Sequence, residues 1–408
     1  MDIFQLSSAL IVLCAIMAYI NFRFLKLPTT IGLMVISLIF SLCLLVTGKF
    51  SPGITQIAES HLKNIDFSSL LLEGLLSFML FAGAIHIKYN DLKSEKLSIL
   101  LFSTLSVVIS TTIIGISAFY ILPLFGLKMP LMYCFLFGSL ISPTDPISVL
   151  SILKKAGVSK SLETKIAGES LFNDGVAVVV FLTILNLANS SQSFSFSNAI
   201  MLFGTEAIGG ILLGGALGWL SFKLIESIDH YQTETLITIA TVMGGYTLAQ
   251  YSHVSGPLAM VVAGLITGNQ GKKLGMSEIT NDYIDKFWEI IDEILNALLF
   301  VLIGLELLLI SFEMKVLLVG ILFIILTLMA RFISIYLPSL LIRLKEPITQ
   351  NTIKILTWGG LRGGISIALA LSIPSAFGKE LWLTLTYIIV SFSILIQGLT
   401  ISKIANRT

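Results

Sequence analysis

Residues 137–150 read FGSLISPTDPISVL, with a proline on each side of the pair Thr144 and Asp145. This stretch lies in an apolar run, residues 129–153, that is long enough to cross a membrane. Each proline removes a backbone donor and clashes with the preceding turn, so a helix should open here. Open backbone at membrane depth persists only where protein buries it or where it borders a watery cavity. The stretch therefore predicts a broken membrane helix beside a polar site.

The composition of the whole chain is that of a membrane protein. Of 408 residues, 55% are hydrophobic and only 12% are charged, whereas a soluble domain carries about 25% charged residues. The net charge of +1 provides no basic surface for nucleic acid. Long apolar runs favour helices over the short alternating strands of a membrane barrel. We therefore expect an all-α polytopic protein that lies in lipid, binds no nucleic acid and is not an enzyme.

About thirteen membrane spans are predicted from apolar runs of roughly 20 residues. Basic residues concentrate in the loops that follow odd-numbered spans, which predicts an outside N-terminus and a cytoplasmic C-terminus in the plasma (inner) membrane. The loops are short, so no soluble regulatory domain is expected. The approximate spans are 5–22, 29–47, 67–87, 97–122, 129–153, 166–188, 199–222, 234–252, 255–270, 287–311, 316–342, 351–373 and 380–402.

A second interruption lies in span 12, where residues 358–371 read WGGLRGGISIALAL. Four glycines around Arg362 lower the helical preference at midspan. The breaks in spans 5 and 12 are seven spans apart, as expected if spans 1–6 and 8–13 are inverted six-helix repeats joined by span 7. Broken helices at corresponding positions of such repeats indicate the binding site of a transporter. Two ordinary kinks are the simpler alternative, but each break carries a charge at membrane depth, which favours function.

Span 6 concentrates polar residues on one helical face. Residues 165–181 read KIAGESLFNDGVAVVVF, in which Glu169 and Asn173 are four residues apart, as are Ser170 and Asp174. Residues at this spacing lie above one another on a helix. A charged carboxylate at the centre of a span costs about 2.5–3.5 kcal/mol on insertion scales. Spans 5 and 6 therefore need an arginine, a cation or a proton as compensation.

Arg331 in span 11 and Arg362 in span 12 are the basic residues predicted at membrane depth. Arginine is effectively always charged, so each needs a permanent anionic partner. We expect Glu169 to pair with one of them, with Arg331 as the first candidate. Asp145 and Asp174 then have no fixed counter-charge, and a proton or a small hard cation can neutralise them. Competition between the two for one carboxylate is sufficient for antiport.

The motifs PTDP in span 5, GESLFND in span 6 and GGLRGG in span 12 together resemble those of the NhaP/NHE-type sodium–proton antiporters of the cation:proton antiporter superfamily. The resemblance covers essentially the whole chain. It implies exchange of Na⁺, Li⁺ or K⁺ for H⁺ by alternating access in pH homeostasis, with no cofactor. It also implies that Asp174 binds the ion and the proton, with Asp145, Ser170 and Thr144 as further Na⁺ ligands.

The resemblance further implies a homodimer with a mobile six-helix core. The core would comprise spans 4–6 and 11–13, at about 97–188 and 316–402. The dimerisation domain would comprise the other spans, at about 1–87 and 199–311.

Within the core, the family pattern places Glu169 and Asn173 in an ion-pair network with Arg331, or with Arg362 as the second candidate. The Asn-Asp pair at residues 173 and 174 resembles the electroneutral branch of the superfamily. That branch implies one cation for one proton.

Two functional alternatives remain open. A cation channel would show symmetric filters or rings of charge, and neither is visible in the sequence. A carrier for another small ion could use the same inverted-repeat fold, although several carboxylates oppose an anion. An intramembrane aspartyl protease is disfavoured, because neither Asp145 nor Asp174 has a Gly-x-Gly-Asp context.

Other acids at membrane depth are weaker candidates. Glu73 in span 3 can line an ion funnel or make an interfacial polar contact. Glu206 and Glu306 are placed near span ends, without a transport role. At the start of span 10 we expect an aromatic belt and solvated charges from Trp288, Glu289, Asp292 and Glu293. In span 7, Gly210, Gly214 and Gly218 predict close helix packing, with a dimer contact as one option.

Overall fold

The computed structural model describes residues 3–50, 70–189, 196–309, 313–343 and 348–405. Helices occupy most of these ranges, and the extended pairing found there is a single isolated bridge. The all-α prediction is therefore confirmed, and the chain is a multi-pass membrane protein.

The described helices group into thirteen spans. Spans 1 to 4 comprise Ile3–Ile20 with the π-helical turn Asn21–Leu25, Thr29–Phe50, Leu76–Ile85 after the π-helical turn Leu70–Leu75, and Lys96–Ser103 with Leu105–Ile121. Spans 5 to 8 comprise Leu131–Ile141 with Ile147–Lys155, then Lys160–Asn189, Phe196–Glu226 and Tyr231–Tyr251. Spans 9 to 13 comprise Gly256–Ile266 with Thr267–Gly275, Glu278–Glu306, Met314–Ile342, Gln350–Trp358 with Gly364–Ser372, and Lys379–Phe392 with Gly398–Ala405.

Seven of the described helices are individually long and apolar enough to cross a membrane. The others are broken, shorter or more polar, and they depend on their neighbours for burial. The seven are Ser7–Leu25, Thr29–Thr47, Lys96–Phe125, Lys160–Asn189, Ile200–Glu226, Met314–Ile342 and Lys379–Ala405.

The helices pack in two groups. Spans 4, 5, 6, 11, 12 and 13 contact one another extensively, while span 10 packs on spans 2 and 3 and span 9 packs on spans 3 and 7. Spans 6 and 9 form one of the contacts between the groups. The predicted division into a mobile core and a dimerisation domain follows this grouping and stays a prediction.

The glycines of span 7 face span 9 of the same chain. A Cβ at Gly214 would lie 2.3 Å from the carbonyl oxygen of Ala259, and one at Gly218 would lie 3.0 Å from the Cα of Ala263. Close helix packing is therefore confirmed, because only a residue without a side chain permits this approach. The suggested dimer contact is wrong for this stripe, which is already occupied by the protein's own helix.

The expected aromatic belt at the start of span 10 is wrong for Trp288. This side chain is fully buried, its ring centroid lies 4.8 Å from that of Phe81, and its indole N–H donates to Thr238 at 3.1 Å. The reason is that the helix begins at Glu278, well before the predicted apolar run. Trp288 therefore lies inside the bundle, whereas Glu289 and Glu293 are exposed as expected.

Candidate ion-binding site

The interruptions of spans 5 and 12 meet in space. Residues 142–146 separate the two halves of span 5, and residues 359–363 separate those of span 12. The backbone N–H of Asp145 donates to the carbonyl of Leu361 at 2.8 Å, which forms the isolated antiparallel bridge. A Cβ at Gly363 would lie 2.7 Å from Oδ2 of Asp145. The glycine therefore permits the two opened segments to touch beside this carboxylate.

Span 6 holds the opened segment of span 5 through Thr144. The side-chain amide of Asn173 donates to the Thr144 hydroxyl at 2.8 Å, and the Asn173 carbonyl accepts from the Thr144 backbone N–H at 3.4 Å. The hydroxyl of Ser170 donates to the Thr144 carbonyl. Proline leaves backbone groups without helical partners at this depth, so side chains of the adjacent helix supply them.

A buried ion pair lies directly behind this contact. Arg331 donates to both carboxylate oxygens of Glu169, at 2.7 and 2.9 Å, and also to the carbonyl of Leu356 at 3.2 Å. The two charged side chains are only 3% and 2% exposed. Asn173 donates to the Glu169 carboxylate at 3.1 Å, which joins the pair to Thr144. The structure thus pairs Glu169 with the first of the two candidate arginines.

Arg362 has a different role in the site. Its guanidinium donates to the carbonyls of Ser142 and Pro143, at 2.6 and 3.0 Å. These carbonyls follow the first half of span 5, where the negative end of a helix dipole lies. Its backbone N–H donates to the Ser393 hydroxyl of span 13 at 2.9 Å. The second candidate arginine therefore caps a helix end instead of pairing with Glu169.

A cavity of about 630 Å³ leads to this crossing. Thr144, Asp145 and Asp174 line it, while Lys88, in the loop after span 3, and Lys154, in the last turn of span 5, mark its other end. The side chain of Asp174 is 8% exposed, and its carboxylate has no hydrogen bond or ion pair with any described residue. The electrostatic interactions resolved for this carboxylate are with other acids, Asp145 and Glu169. Asp174 is thus a buried acid that faces a cavity without a fixed counter-charge.

Ser170 is placed differently from Asp174. It borders a second, much smaller void that is also lined by Thr144, Glu169 and Arg331. Across the described residues, no three or more His, Cys, Asp and Glu side chains are grouped as a metal site would require. A cation bound here must therefore use hydroxyl or backbone oxygens in addition to carboxylates.

Comparison with known proteins identifies the family. The family model described as "Sodium/hydrogen exchanger, transmembrane" matches residues 9–407. This chain belongs to the sodium/hydrogen exchanger family. The Na⁺/H⁺ antiporter NhaP of Pseudomonas aeruginosa is 47% identical over 408 residues, which is 99% of this chain and 96% of that protein. The Na⁺/H⁺ antiporter NhaH of Halobacillus dabanensis is 34% identical over 391 residues, covering 94% of this chain and 93% of that protein.

A solved structure has the same fold as this exchanger-family chain. The sodium proton antiporter MjNhaP1 from Methanocaldococcus jannaschii, determined at pH 8, superposes with a TM-score of 0.77. The match covers 98% of this chain and 97% of the solved chain, at 20% sequence identity. The inverted-repeat fold with broken spans 5 and 12, predicted from the sequence, is therefore confirmed.

Sequence reasoning missed two acidic residues that line the cavity. Glu289 and Asp292 of span 10 line the cavity. Glu289 is exposed, as expected, whereas Asp292 is half-buried and not a solvated interfacial charge. Their spacing with Asp285, at four and three residues, is the helical signal that could have revealed one shared face. Glu306 is the last residue of the span 10 helix, so its expected position near a span end is confirmed; it is nevertheless only 3% exposed, because neighbouring helices bury it.

Glu73 and Glu206 are the other two acids that the sequence analysis placed at membrane depth. The backbone of Glu73 lies in the π-helical turn Leu70–Leu75, but its side chain lies outside the described residues, so its role in a funnel stays a prediction. Glu206 is half-buried in span 7.

Proposed function

We propose that this protein exchanges Na⁺ for H⁺ across the membrane by alternating access, with Asp174 as the carboxylate that binds one or the other. The observation that carries the proposal is the burial of Asp174 at the end of a cavity with no cationic partner among the described residues. A charged group in such surroundings must be neutralised. A proton and a cation are the two available means, and each excludes the other. Relatives that match nearly the whole chain bear the name Na⁺/H⁺ antiporter, which supports the same conclusion.

The cation would bind between spans 5 and 6. Asp145 and Asp174 supply carboxylate oxygens, and Thr144 and Ser170 supply neutral ones, a donor set that suits a hard cation. The Ser170 hydroxyl donates to the Thr144 carbonyl in this structure. Its oxygen lone pairs remain available, so Ser170 can accept a cation without losing that hydrogen bond. Na⁺, Li⁺ and K⁺ are all candidates for this ligand set.

The Glu169–Arg331 pair stabilises the site and takes no part in the exchange. The guanidinium of Arg331 donates to both carboxylate oxygens of Glu169, so this carboxylate already has a fixed counter-charge and needs no transported ion. Asn173 is uncharged and connects this pair to Thr144. Asp174 is then the single exchanging acid, and one cation replaces one proton without net charge movement.

The cavity is proposed to open to the cytoplasm. Its outer end carries Lys88, Lys154 and Lys160, which lie in or next to the loops that follow spans 3 and 5. Such loops are cytoplasmic by the positive-inside rule. The N-terminus would then be outside and the C-terminus inside, in the plasma (inner) membrane. Movement of spans 4–6 and 11–13 against the other spans would expose Asp174 to the opposite side. The other spans would also form the contact of a homodimer.

The proposal is tested in proteoliposomes that contain a pH-sensitive dye. A Na⁺ gradient should drive proton movement with the wild-type protein but not with Asp174→Asn, which can bind neither a proton nor a cation as a carboxylate does. Glu293→Gln is the matched control, because Glu293 is exposed on span 10 and does not line the cavity. Normal insertion and a near-normal rate for Asp174→Asn would refute the assignment of Asp174.

The same vesicles distinguish the alternatives. One-for-one exchange should proceed at a rate that does not depend on an imposed membrane potential. Cation flux without proton movement would instead identify a channel. Proton movement driven by another ion, and not by Na⁺, Li⁺ or K⁺, would identify a different carrier.

A further inference from the structure

Span 10 carries a line of three acids, two of which line the cavity that leads to the ion site. Asp285, Glu289 and Asp292 follow one another at helical spacing, so they share one face. Glu289 and Asp292 line the same cavity as Asp145 and Asp174. One wall of the cavity, from spans 5 and 6, and another wall, from span 10, therefore both carry carboxylates.

Of these three acids, Asp292 is the one that interacts with a residue of the ion-binding site. Asp285 begins the line: it forms an ion pair with Lys272 and lies 3.3 Å from Nδ1 of His86, and Glu289 is exposed. Asp292 is half-buried and interacts electrostatically with Asp145 across the cavity. No lysine, arginine or histidine forms an ion pair with Asp292 in the described part of the chain. Its charge is therefore not neutralised by a neighbour.

None of the basic side chains that line the cavity forms an ion pair with Asp174 or Asp292 within the described ranges. They are His86, Lys88, Lys154 and Lys160, and all lie toward the loops after spans 3 and 5. Lys160 is already paired with Asp91 at 3.0 Å. The inner end thus contains Asp145, Asp174 and Asp292, of which Asp174 is more than nine-tenths buried and has no partner in the described ranges. A cation is the group that this arrangement lacks.

The two walls belong to different packing groups. Asp145 and Asp174 lie in spans 5 and 6, whereas span 10 packs on spans 2 and 3. A movement of one group against the other changes the distance from Asp292 to Asp145 and leaves the distance from Asp145 to Asp174 little changed. The contribution of Asp292 to cation binding must therefore depend on the side to which the site is open.

We propose that Asp292 is a side-specific cation-binding residue: it binds the cation together with Asp145 when the site is open to this cavity, and it takes no part when the site is open to the other side. This inference rests on the proposed exchange by alternating access. In the cavity-open state, Asp292 increases the affinity for the incoming cation before Asp174 releases its proton. In the opposite state, Asp145 and Asp174 bind the cation without it.

The test is the Na⁺ dependence of exchange from each side of the membrane. Asp292→Asn and wild type are compared in membrane vesicles of the two opposite orientations. For Asp292→Asn, the KM for Na⁺ should rise roughly five- to ten-fold on the cavity side, as expected for the loss of one nearby charge. On the other side the KM should be unchanged, and Asp292→Glu should restore the cavity-side value.

Two matched variants separate direct binding from general attraction. Glu293→Gln removes a charge from the adjacent position, outside the cavity, and should leave both KM values unchanged. Glu289→Gln removes an exposed charge that also lines the cavity. It should raise the KM less than Asp292→Asn does, and this increase should disappear when an impermeant salt raises the ionic strength. The effect of Asp292→Asn should persist at that ionic strength.

Several outcomes would overturn the inference. An equal increase in KM on both sides would show that Asp292 acts on the fold or on both states, and no change on either side would show that it does not bind the cation. If the KM increase of Asp292→Asn disappeared at high ionic strength, Asp292 would act only by long-range attraction. If wild-type vesicles moved no protons in response to Na⁺, the proposed function itself would fail, which is a separate result.

Discussion

Replacing Glu169 by Gln should destabilise the protein by about 3–5 kcal/mol, the usual cost of leaving one charge of a buried pair without its partner. The side chains of Glu169 and Arg331 are 2% and 3% exposed, so water does not screen the loss. Gln has nearly the shape of Glu, and it leaves the volume of the site unchanged. Arg331 would keep its hydrogen bonds to the Leu356 carbonyl, but its guanidinium charge would lose its anionic partner. The uncompensated guanidinium is thus the physical origin of the cost.

Replacing Arg331, the other member of the pair, should destabilise the protein less than replacing Glu169. In Arg331→Met, Glu169 loses its counter-charge, but a carboxylate can bind a proton and become neutral. In the double variant Glu169→Gln/Arg331→Met, neither charge remains, and stability should recover at least in part, since buried pairs can often be replaced by uncharged groups at little cost. The double variant should therefore be more stable than Glu169→Gln alone.

Thermal unfolding of the purified protein in detergent measures these differences, with size-exclusion chromatography as a check on the folded state. The matched control is Lys286→Gln, which breaks an exposed pair with Asp282 at 2.6 Å and should leave the melting temperature nearly unchanged. A melting temperature of Glu169→Gln equal to that of wild type would refute the reasoning. A double variant less stable than Glu169→Gln would refute it as well.

Three further predictions concern the crossing of the broken spans. Gly363→Ala should abolish exchange, because its Cβ would lie 2.7 Å from Oδ2 of Asp145. Gly215→Ala is the control: its Cβ would have no atom within 4 Å, so its Na⁺-driven dye response should be normal. Ser170→Ala should raise the KM for Na⁺ about five-fold, since the loss of one neutral ligand or hydrogen bond costs about 1 kcal/mol; an unchanged KM would exclude Ser170 from the ligand set. Arg362→Met should lower the melting temperature, because two carbonyls lose their donor, and Arg362→Lys should restore part of the loss.

The local sequence around the site was sufficient to predict which residues would be near it. The prolines beside Thr144 and Asp145 predicted an open helix, and the helical spacing of Glu169 and Asn173 predicted one shared face. The sequence could rank Arg331 before Arg362 as the partner of Glu169, but it could not decide between them. Span 11 is far away in the chain, and residue spacing carries no information about such contacts. Arg362 was a second candidate for the same reason.

Span 10 shows where the prediction failed. An apolar run indicated where its membrane segment lies, but the helix begins earlier, at Glu278. Trp288 and Asp292 were therefore expected at an interface, whereas Trp288 is buried and Asp292 lines the cavity. Hydropathy reports on the average environment of a segment, and it cannot identify which neighbour each face of the helix meets.

The sequence by itself determined that this protein lies in lipid, that two of its helices must break, and that acids at membrane depth need compensation. These are consequences of composition and local chemistry, since lipid cannot solvate backbone groups or charges. Only the tertiary structure decided which compensation each charge receives: Glu169 an arginine, Arg362 two carbonyls, and Asp174 no partner among the described residues. Those partners come from distant spans, and their distances are set by the packing of the whole bundle.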